Sequence, residues 1–418
     1  MEKEKKNYMI GLLTGMILMV AVYIGVTLFY PGLLAGGINR HPALGARGGA
    51  AAAETAEAIY PTIGSKVDDI LRALDGLFVD PIDMEELGDQ IFRSVVRLLG
   101  DPYTSYMDAR QFRTFMEGTE GVYTGIGVLV TANLETGFIT VVVPFEGFPG
   151  ANAGLLPGDA IIKVDGNNVS AEYLQEAVNM LRGEPGTAVN ITIYRSYTNE
   201  TFDINVIREI ITVPTVNHKM IDDDIGYLRI TQFERPTFQQ FVEALEDLQN
   251  SGMRGLILDL RNNPGGLLST VVQITDLLVP EGTIVYTVDR HGRQVITPSG
   301  PDHIGIPMLI LVNGQSASAS EVLSGAVRDH GVGQLVGTTT FGKGLVQNIF
   351  PLADQSALRI TVARYYTPNG FTIQSTGLEP DFEIDMDIEL TVRLQQLTIE
   401  EDVQLRYAID IMTRQLGQ

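Results

Sequence analysis

Short apolar segments alternate with amphipathic segments across residues 209–385, and this alternation constrains the fold more strongly than any other feature of the chain. The segments GYLRI, GLILDL, TIVYTV and PMLILVN are typical of buried strands, whereas residues 238–245, 267–278 and 319–330 have the apolar spacing of helices. Strands that alternate with helices in this way predict a parallel sheet covered by helices, the α/β class. Residues 386–418 are predicted to add one or two C-terminal helices.

Two smaller regions precede this α/β core. Residues 55–118 carry apolar side chains at helical spacing and predict a small helical module that contains a turn, DPYTSYM, at residues 101–107. Residues 119–208 contain the strand-like segments GIGVLV, FITVVV and VNITIY, separated by Gly and Pro turns, and one amphipathic helix at residues 171–182. This second region is predicted to form a small, partly open β-barrel. The chain is therefore predicted to be a multidomain protein of mixed α/β and α+β class.

The N-terminal segment is predicted to enter a membrane. Residues 8–30 contain no charged side chain, and as a helix they would extend about 34 Å, enough to cross the hydrocarbon core. Because Lys3, Lys5 and Lys6 precede the segment, the positive-inside rule places the N-terminus in the cytoplasm and the remainder outside it. We predict a single-pass anchor over residues 1–30 in the cell membrane and a flexible Gly- and Ala-rich tether at residues 31–54. A cleaved signal peptide, with a shorter apolar part of about 7–15 residues, is the alternative.

The composition excludes several classes of protein and site. The chain has 29 Lys and Arg against 51 Asp and Glu, a formal net charge of −22, which argues against nucleic acid binding because that requires clustered basic side chains. It contains no cysteine, so thiol nucleophiles, disulfides and cysteine-based zinc sites are excluded. Its five histidines do not lie at metal-ligand spacing. We predict no metal and no cofactor, although carboxylate metal sites stay open.

Three serines, Ser316, Ser318 and Ser320, follow the apolar strand PMLILVN and precede a helix. A turn of this kind lies at the C-terminal edge of the sheet, where α/β proteins form their sites, and the helix N-terminus offers unpaired N–H groups to an anion. This arrangement suits a serine nucleophile for acyl transfer. The alternative is that the serines only cap the helix.

A histidine-based triad is a second way to activate a serine here. His330 would lie about 18 Å along the predicted helix from Ser318, too far for contact. His291 and His303 stay open as partners, but no GxSxG pattern surrounds any of the three serines.

The segment GTTTFGKG, residues 337–344, nearly matches the phosphate-binding P-loop, but its last position is Gly344, which has no hydroxyl to hold Mg²⁺. A nucleotide-binding protein therefore stays an alternative. Lys343 could instead be the general base for a serine. Its pKa would have to fall from about 10.4 to about 7–8, a change of about 4 kcal/mol that desolvation in an apolar pocket can supply. An ordinary solvated surface lysine is the third possibility.

Gln347 lies four residues after Lys343. In a regular strand these two residues would be about 13 Å apart. A bend at Gly342 and Gly344 would allow the Gln347 side-chain carbonyl to accept a hydrogen bond from the lysine and orient it. Without such a bend, Gln347 is an ordinary side chain on a strand surface.

The segment DLRNNPGG, residues 259–266, connects a predicted strand to a predicted helix. Its Gly265 and Gly266 allow a substrate to approach the backbone closely. Together with the amide of Ala319, either glycine could complete an oxyanion hole. The sequence alone favours an ordinary glycine-rich turn.

The segments SASASE and TFGKGLVQ, with DLRNNPGG upstream, resemble the C-terminal processing (tail-specific) serine peptidases. The segments GVYTGIGV, AGLLPGDAIIKVDG and LRGEPGTAV resemble the PDZ domain that lies inside that family, and DPYTSYM has a counterpart at the boundary before the PDZ domain. The resemblance runs from about residue 60 to residue 385 in the family's order. It implies a PDZ domain at residues 119–208 and a Ser/Lys peptidase core at residues 209–385.

The resemblance also implies roles for individual residues. It implies Ser318 as nucleophile, Lys343 as general base and Gln347 as the residue that orients the base, and the 25-residue separation of Ser318 and Lys343 fits the family pattern. It implies oxyanion donors at Ala319 and at Gly265 or Gly266. The expected carboxylate-binding loop of the PDZ domain comprises Gly125, Ile126, Gly127 and Val128.

The resulting prediction is a membrane-anchored, extracytoplasmic serine endopeptidase that recognises the C-termini of unfolded or tagged polypeptides. Docking to the PDZ domain is expected to gate the active site, with Arg182 as a sensor, and a homodimer formed by the terminal helices is expected by family analogy. Two alternatives stay open: a membrane-tethered PDZ scaffold with an inactive core, and a nucleotide-binding protein that uses the P-loop-like segment.

Overall fold

The computed structural model describes residues 50–417, with side-chain environments from residue 61 onward except at residue 395. The predicted anchor, and the predicted tether as far as residue 49, lie outside the described residues. Within residues 50–417, no helix is both long enough and apolar enough to span a membrane. The chain divides into two compact units, Met1–Met84 and Glu85–Gln418. This boundary falls within the helical module predicted at residues 55–118.

The longer helices follow the amphipathic segments of the sequence, but the first described helix begins at Ala50, so the predicted tether is wrong for residues 50–54. The helices are α1 Ala50–Leu77, α2 Met84–Arg97, α3 Ala109–Glu120, α4 Pro149–Asn152, α5 Leu174–Leu181, α6 Thr237–Asn250, α7 Leu268–Asp276, α8 Ala319–Asp329, α9 Ile388–Val392 and α10 Val403–Gln415. Single turns of 3₁₀ helix lie at Ala171–Tyr173 and Leu394–Gln396.

The strands contain between 2 and 10 residues each. They are β1 Ser105–Met107, β2 Val122–Gly125, β3 Val128–Asn133, β4 Phe138–Pro144, β5 Ala160–Val164, β6 Asn167–Asn168, β7 Ala188–Arg195, β8 Glu200–Ile207, β9 Glu209–Thr212, β10 Val216–Ile221, β11 Ile225–Ile230, β12 Gly255–Asp259, β13 Gly282–Asp289, β14 Gln294–Ser299, β15 Met308–Val312, β16 Gly333–Gly337, β17 Leu345–Pro351, β18 Ala357–Tyr366 and β19 Phe382–Glu383.

A six-stranded sheet of mostly parallel strands forms the core, in the order β10-β11-β12-β15-β16-β19. β10 runs antiparallel to β11, and the other neighbours are parallel. Helix α6 connects β11 to β12, and α8 connects β15 to β16. The mixed α/β architecture expected from the sequence is therefore present, and it brings the carboxyl ends of β12 and β15 to the same edge of the sheet.

Both faces of this sheet are buried because its strands are apolar at successive positions. On one face, Leu256, Leu258 and Ile310 pack with side chains of α6, α7 and α8. On the other face, Ile257 and Leu309 pack with side chains of α10. Helices on both sides are what a parallel sheet with two apolar faces requires.

An antiparallel sheet lies outside the parallel series. Strand β18 pairs with β17 along one edge and with β1 and β13 along the other, and β14 extends the sheet from β13. The segment TIVYTV is part of β13, so its expected place in the parallel sheet is wrong. Ser105–Met107, at the end of the expected turn, is strand β1. In both cases a local pattern cannot show which distant strand will be the partner.

The β-rich region forms an antiparallel sheet of order β3-β4-β5-β7-β8, with β6 beside β5. Strands β3 and β8 each pair on one side only, which leaves the predicted small β-barrel partly open. Helix α5 covers the open side, and its Ala177 and Leu181 share a core with Ile139 and Ile191 of the sheet. The ribbon formed by β2 and β9 joins this region to the parallel core.

Candidate active site

Ser318 lies immediately before α8, in the turn that follows β15. Its backbone has φ +56° and ψ −110°, an unusual conformation for a residue with a side chain. Such strain persists only where the surrounding structure holds it in place. Ser318 is 8% exposed, and its side chain lines a cavity.

The two neighbouring serines have structural hydrogen bonds. The Ser316 hydroxyl donates to the carbonyl of Leu260 at 2.8 Å and accepts from the amide of Asn313 at 2.9 Å. The Ser320 hydroxyl donates to the carbonyl of Asn263 at 3.0 Å. Both therefore tie the serine turn to the loop after β12. Of the three serines, Ser318 is the one that lines the cavity.

The Ser318 hydroxyl is hydrogen-bonded to the hydroxyl of Tyr365, at 3.1 Å. Tyr365 is buried on β18, and burial raises its pKa, although the bond to Ser318 opposes this rise. No sequence pattern indicated this tyrosine, because it reaches the serine from the antiparallel sheet. Among the described residues, no hydrogen bond joins Ser318 Oγ to Lys343 Nζ, so the contact expected between them is not made in this structure.

Lys343 lines the same cavity as Ser318, at the loop before β17. Its Nζ lies 5.0 Å from the centre of the Tyr103 ring, a cation–π distance. Burial lowers the pKa of Lys343, the positive charge of Arg359 lowers it further, and the carboxylate of Glu321 opposes both effects. The direction of the change is the one that a general base requires.

Glu321 links the serine turn to the lysine loop, and the sequence interpretation missed it. Its buried carboxylate accepts the amide of Ser318 at 2.8 Å and the amide of Lys343 at 2.9 Å through Oε2. Through Oε1 it accepts the amide of Gly342 at 2.7 Å and the hydroxyl of Thr340 at 2.6 Å. A Glu three residues after a Ser at a helix start is the capping-box pattern, and that pattern was the available signal.

The P-loop-like segment has no phosphate-binding geometry. The amides of Gly342 and Lys343 bond to Glu321, and the amide of Gly344 bonds to Gln374. Strand β17, and not a helix, follows the lysine. The helix N-terminus that a P-loop requires is therefore absent from residues 337–351.

Gln347 lies on β17 and lines the cavity, but it does not bond to Lys343. Its Nε2 donates to the carbonyl of Leu345 at 3.2 Å. The pairing of β17 with β18 shifts register between Val346 and Gln347, downstream of Gly342 and Gly344, where the bend was predicted. Both side chains line one cavity, but the predicted hydrogen bond between them is not made in this structure.

The two candidate oxyanion glycines differ in what their amides do. The amide of Gly265 donates to the side chain of Asn263 at 2.9 Å, so it is already occupied. Gly266 is exposed and lines the cavity, and within the described chain neither its amide nor that of Ala319 has a hydrogen-bond acceptor. Gly266 is therefore the better placed donor of the two.

Close packing explains why this loop requires glycines. A Cβ on Gly265 would lie 2.8 Å from the carbonyl oxygen of Ala317 and 2.9 Å from Cβ of Ser318. A Cβ on Gly266 would lie 2.1 Å from the carbonyl oxygen of Phe233. The loop thus lies directly against the serine turn on one side and against the segment after β11 on the other.

A buried ionic cluster holds the base of the same loop. Arg261 is 1% exposed, and its guanidinium donates to both Asp259 and Asp402 at 2.7 Å. Burial opposes ionisation of Asp259, but the nearby Arg261 outweighs it and holds the pKa of this carboxyl below its usual value. The Tyr227 hydroxyl completes the cluster by donating to Asp259 at 2.7 Å.

The cavity has a volume of about 480 Å³. It is lined by Ser318, Lys343, Gln347, Gly266, Tyr365 and Arg359, and also by residues of α3 and of the segment after β11. No histidine lines it in the described part of the chain, and His330 instead bonds to the carbonyl of Thr283 at 2.8 Å. In residues 50–417, no three His, Asp or Glu side chains group in a way that could hold a metal ion.

A second, apolar cavity of about 290 Å³ lies between β3 and α5. Gly125, Ile126 and Val128 line it, whereas Gly127 is buried against Phe148. Arg182, at the end of α5, also lines this groove. The Arg182 guanidinium donates to Glu117 of α3 at 2.6 Å and lies 5.1 Å from the centre of the Tyr123 ring.

Comparison with known proteins explains this combination of sites. A model of peptidase family S41 matches residues 224–384, and a PDZ domain model matches residues 139–195. The Carboxy-terminal-processing protease of Bartonella bacilliformis is 38% identical over 344 residues, which cover 81% of this chain and 78% of the relative. This chain belongs to peptidase family S41. The predicted family, and with it a serine-type peptidase of the C-terminal processing kind, is confirmed.

Other S41 proteins support the assignment. The Carboxy-terminal processing protease CtpA of Bacillus subtilis is 33% identical over 327 residues, 77% of this chain and 70% of the relative. The crystal structure of an S41 protease candidate from Bacteroides fragilis aligns with a TM-score of 0.52, at 17% identity, over 83% of this chain and 96% of that one. At that identity the structural likeness shows the shared fold alone.

Proposed function

We propose that this S41 peptidase is an endopeptidase anchored in the cell membrane, with its catalytic part outside the cytoplasm. Its PDZ domain binds the C-termini of unfolded or tagged polypeptides, and Ser318 and Lys343 cleave the chain. One observation carries the proposal: Ser318, in a strained backbone conformation, and Lys343, with a lowered pKa, line one cavity. The mechanism requires no metal and no cofactor.

In the proposed reaction, the uncharged amine of Lys343 takes the proton of the Ser318 hydroxyl as the serine oxygen bonds to the peptide carbonyl carbon. The amides of Gly266 and Ala319 donate to the carbonyl oxygen as it becomes negative. When the C–N bond breaks, the Lys343 ammonium gives the proton to the leaving amine. Lys343 then deprotonates a water as its oxygen bonds to the acyl carbon. The ester C–O bond breaks, the Lys343 ammonium returns the proton to the Ser318 oxygen, and the new C-terminus is released.

The reaction requires two side chains to exchange partners. The Ser318 hydroxyl must leave Tyr365, to which it bonds at 3.1 Å, and the Lys343 amine must leave the Tyr103 ring. Lysine has a long, flexible side chain, and both groups face one cavity. We propose that the structure is a resting state and that the Gln347 carbonyl orients the lysine in the active state.

Helix α3 is the element that could couple the PDZ groove to the active site. Its Glu117 holds Arg182 at the groove, while its Phe115, Met116 and Thr119 line the catalytic cavity. The amides of Ile126 and Gly127 have no acceptor within residues 50–417, so they could bind a substrate carboxylate there. We propose that a bound C-terminus changes the Arg182–Glu117 contact and so moves α3 at the cavity.

The membrane anchor and the homodimer rest on other features. The anchor is proposed from the uncharged segment at residues 8–30 and the lysines that precede it. We propose α2 as the homodimer surface instead of the terminal helices, because α10 packs on the parallel sheet. Apolar side chains are exposed on and just after α2, which are Phe92, Val95, Leu98 and Leu99. A helix with no buried residue and an apolar stripe suits contact with a second copy.

The test of the proposed function is cleavage of an unstructured peptide by the full chain in detergent. Wild type should cleave it, and the Ser318→Ala variant should not, because no other serine at the turn lines the cavity. Equal cleavage by both proteins would refute Ser318 as nucleophile. Absence of cleavage by wild type, with peptide binding retained, would instead support the membrane-tethered PDZ scaffold with an inactive core.

A further inference from the structure

Glu234 is a buried carboxylate that the proposed mechanism does not use. It lies in the segment between β11 and α6, is 8% exposed, and lines the catalytic cavity with Ser318 and Lys343. Its Oε2 is fully buried and has no hydrogen-bond partner, and no ion pair to its side chain is found in the described part of the chain. A buried, unpaired carboxylate is costly to keep, so it calls for an explanation.

The backbone around Glu234 is held firmly at the active site. The amide of Phe233 donates to the carbonyl of Gly265 at 2.9 Å, and the carbonyl of Phe233 accepts the amide of Leu267 at 2.7 Å. The amide of Glu234 itself donates to the hydroxyl of Thr237 at 2.9 Å. Its carboxyl group packs against Gly121, where an added Cβ would lie 2.5 Å from Oε2. Glu234 is therefore fixed relative to the proposed oxyanion loop.

The cations around the cavity are already engaged elsewhere. The Arg235 guanidinium forms two hydrogen bonds with Glu120, at 2.6 and 2.8 Å. Lys343 lies over the ring of Tyr103, and Arg359 donates to the carbonyl of Tyr103 at 3.2 Å. The remaining carboxylate that lines the cavity, Glu120, is thus paired, whereas Glu234 is not. Burial alone raises the pKa of Glu234 to about 7, because no neighbouring cation stabilises its charge.

From this arrangement we infer that Glu234 forms a specificity subsite that receives a basic side chain, Lys or Arg, of the polypeptide substrate. A bound ammonium or guanidinium group beside the part of this side chain that lines the cavity would supply the opposite charge that no described residue supplies. An apolar substrate side chain in the same place would leave the carboxylate buried and unpaired. The inference deepens the proposed function and rests on it, since it names the substrate class of the same cavity.

The experiment compares matched peptides in competition, with the full chain in detergent and mass spectrometry as the readout. Each peptide keeps the same C-terminus, so that the PDZ domain contributes equally, and carries Lys or Met at one position near the cleaved bond. The measured quantity is the ratio of the two kcat/KM values. Wild type should favour Lys over Met by about tenfold or more at one position, as expected for a charge-assisted hydrogen bond.

The isosteric variant Glu234→Gln removes the charge and keeps the shape of the side chain. Its Lys-to-Met ratio should fall to about one. The matched control is Glu120→Gln, the same change at the paired carboxylate of the same cavity, and this variant should keep the wild-type ratio. The inference would be overturned if wild type showed no preference for Lys at any position. It would also be overturned if the preference survived in Glu234→Gln, or if Glu120→Gln lost the preference to the same extent as Glu234→Gln.

A binding measurement separates this inference from the proposed mechanism. Fluorescence anisotropy with the Ser318→Ala variant should give tighter binding of the Lys peptide than of the Met peptide, and the added substitution Glu234→Gln should abolish the difference. If Ser318 proved not to be the nucleophile while this difference persisted, only the proposed mechanism would fail. If Ser318-dependent cleavage occurred with no difference in binding or in kcat/KM, only the specificity subsite would be wrong.

Discussion

At the scale of single residues, the buried carboxylate of Glu321 holds the serine turn and the lysine loop together. Glu321 accepts four hydrogen bonds, from the amides of Ser318, Gly342 and Lys343 and from the hydroxyl of Thr340. These bonds join the strained serine turn to the lysine loop. The position of the proposed nucleophile relative to the proposed base therefore depends on a residue that takes no part in the proposed chemistry.

Replacing Glu321 with Ala should destabilise the protein strongly. The substitution leaves several buried donors without an acceptor, each at a cost of about 1–3 kcal/mol, so we expect a loss of at least about 3 kcal/mol. Urea unfolding measures the loss. The control is Glu389→Ala, in the first turn of α9, where the side chain is exposed and the change should cost less than about 0.5 kcal/mol. Similar losses in both variants would show that Glu321 does not have the proposed structural role.

Activity should rise with pH as Lys343 loses its proton. Burial and Arg359 lower the pKa of this lysine, so the reactive uncharged amine becomes available at a lower pH than in a solvated lysine. The logarithm of kcat/KM should increase with a slope of about one and then level off. Lys343→Arg, which stays charged, should lose about 10²–10⁴-fold in kcat. A flat profile from about pH 5 to 9 would contradict the role of Lys343 as base.

At the scale of elements, the loop after β12 and the turn after β15 form one assembly. Ser316 and Ser320 bond to carbonyls of the loop, and Gly265 packs against Ser318. The pattern of three serines with alternating alanines is explained by this geometry, because two of the serines hold the turn while the third lines the cavity.

Gly266→Ala should damage both the loop and the reaction. Its φ is +146°, and an added Cβ would lie 2.1 Å from the carbonyl oxygen of Phe233, so the loop would have to move. We expect a large loss of kcat. Gly292→Ala is the control, because its φ is also positive, at +77°, but an added Cβ there meets no atom within 4 Å. It should cost about 1–2 kcal/mol in stability and leave kcat unchanged. Equal kcat for the two variants would argue against Gly266 as a donor.

The sequence predicted the strand–helix series well where the pattern was local. The strands GYLRI, GLILDL and PMLILV and the helix that begins at Ala319 lie where the periodicity places them, because two-sided burial of strands and one-sided burial of helices leave clear patterns. It could not predict that TIVYTV joins a different sheet, because pairing depends on the distant strand β18. It could not predict Tyr365 at Ser318 for the same reason.

Lys343 and Gln347 show a similar limit of prediction from the sequence. Both side chains line one cavity, as their predicted roles require. The hydrogen bonds of these side chains depend on rotamers, and the structure has Gln347 on Leu345 and Lys343 over Tyr103. Glycine content alone also could not show which amide of the Gly265–Gly266 pair is free, since that depends on the side chain of Asn263.

At the scale of the whole molecule, α3 contacts both the apolar cavity between β3 and α5 and the cavity that Ser318 lines. Glu117 of α3 contacts Arg182 at 2.6 Å. Phe115 and Met116 of the same helix line the cavity that contains Ser318. Both partners of the ion pair are partly exposed, so the pair contributes little to stability, about 0–1 kcal/mol. Its proposed importance lies in the coupling between the two sites.

Arg182→Ala should therefore change regulation more than stability. In wild type, adding a peptide with a free C-terminus that binds the PDZ groove should change the rate at which a second, short substrate is cleaved. In Arg182→Ala this response should be lost, with the midpoint of urea unfolding almost unchanged. The control is Arg235→Ala, which removes another exposed ion pair, that with Glu120. A full response in Arg182→Ala would exclude Arg182 as the sensor.

The most direct measurement of the central claim is covalent labelling by a serine-directed electrophile, located by peptide mapping. We expect one labelled peptide containing Ser318, and labelling that increases with pH and is lost in Lys343→Ala. Labelling of another serine would contradict the role of Ser318 as nucleophile. Labelling of Ser318 at the same rate with and without the Lys343 amine would contradict the role of Lys343 as base.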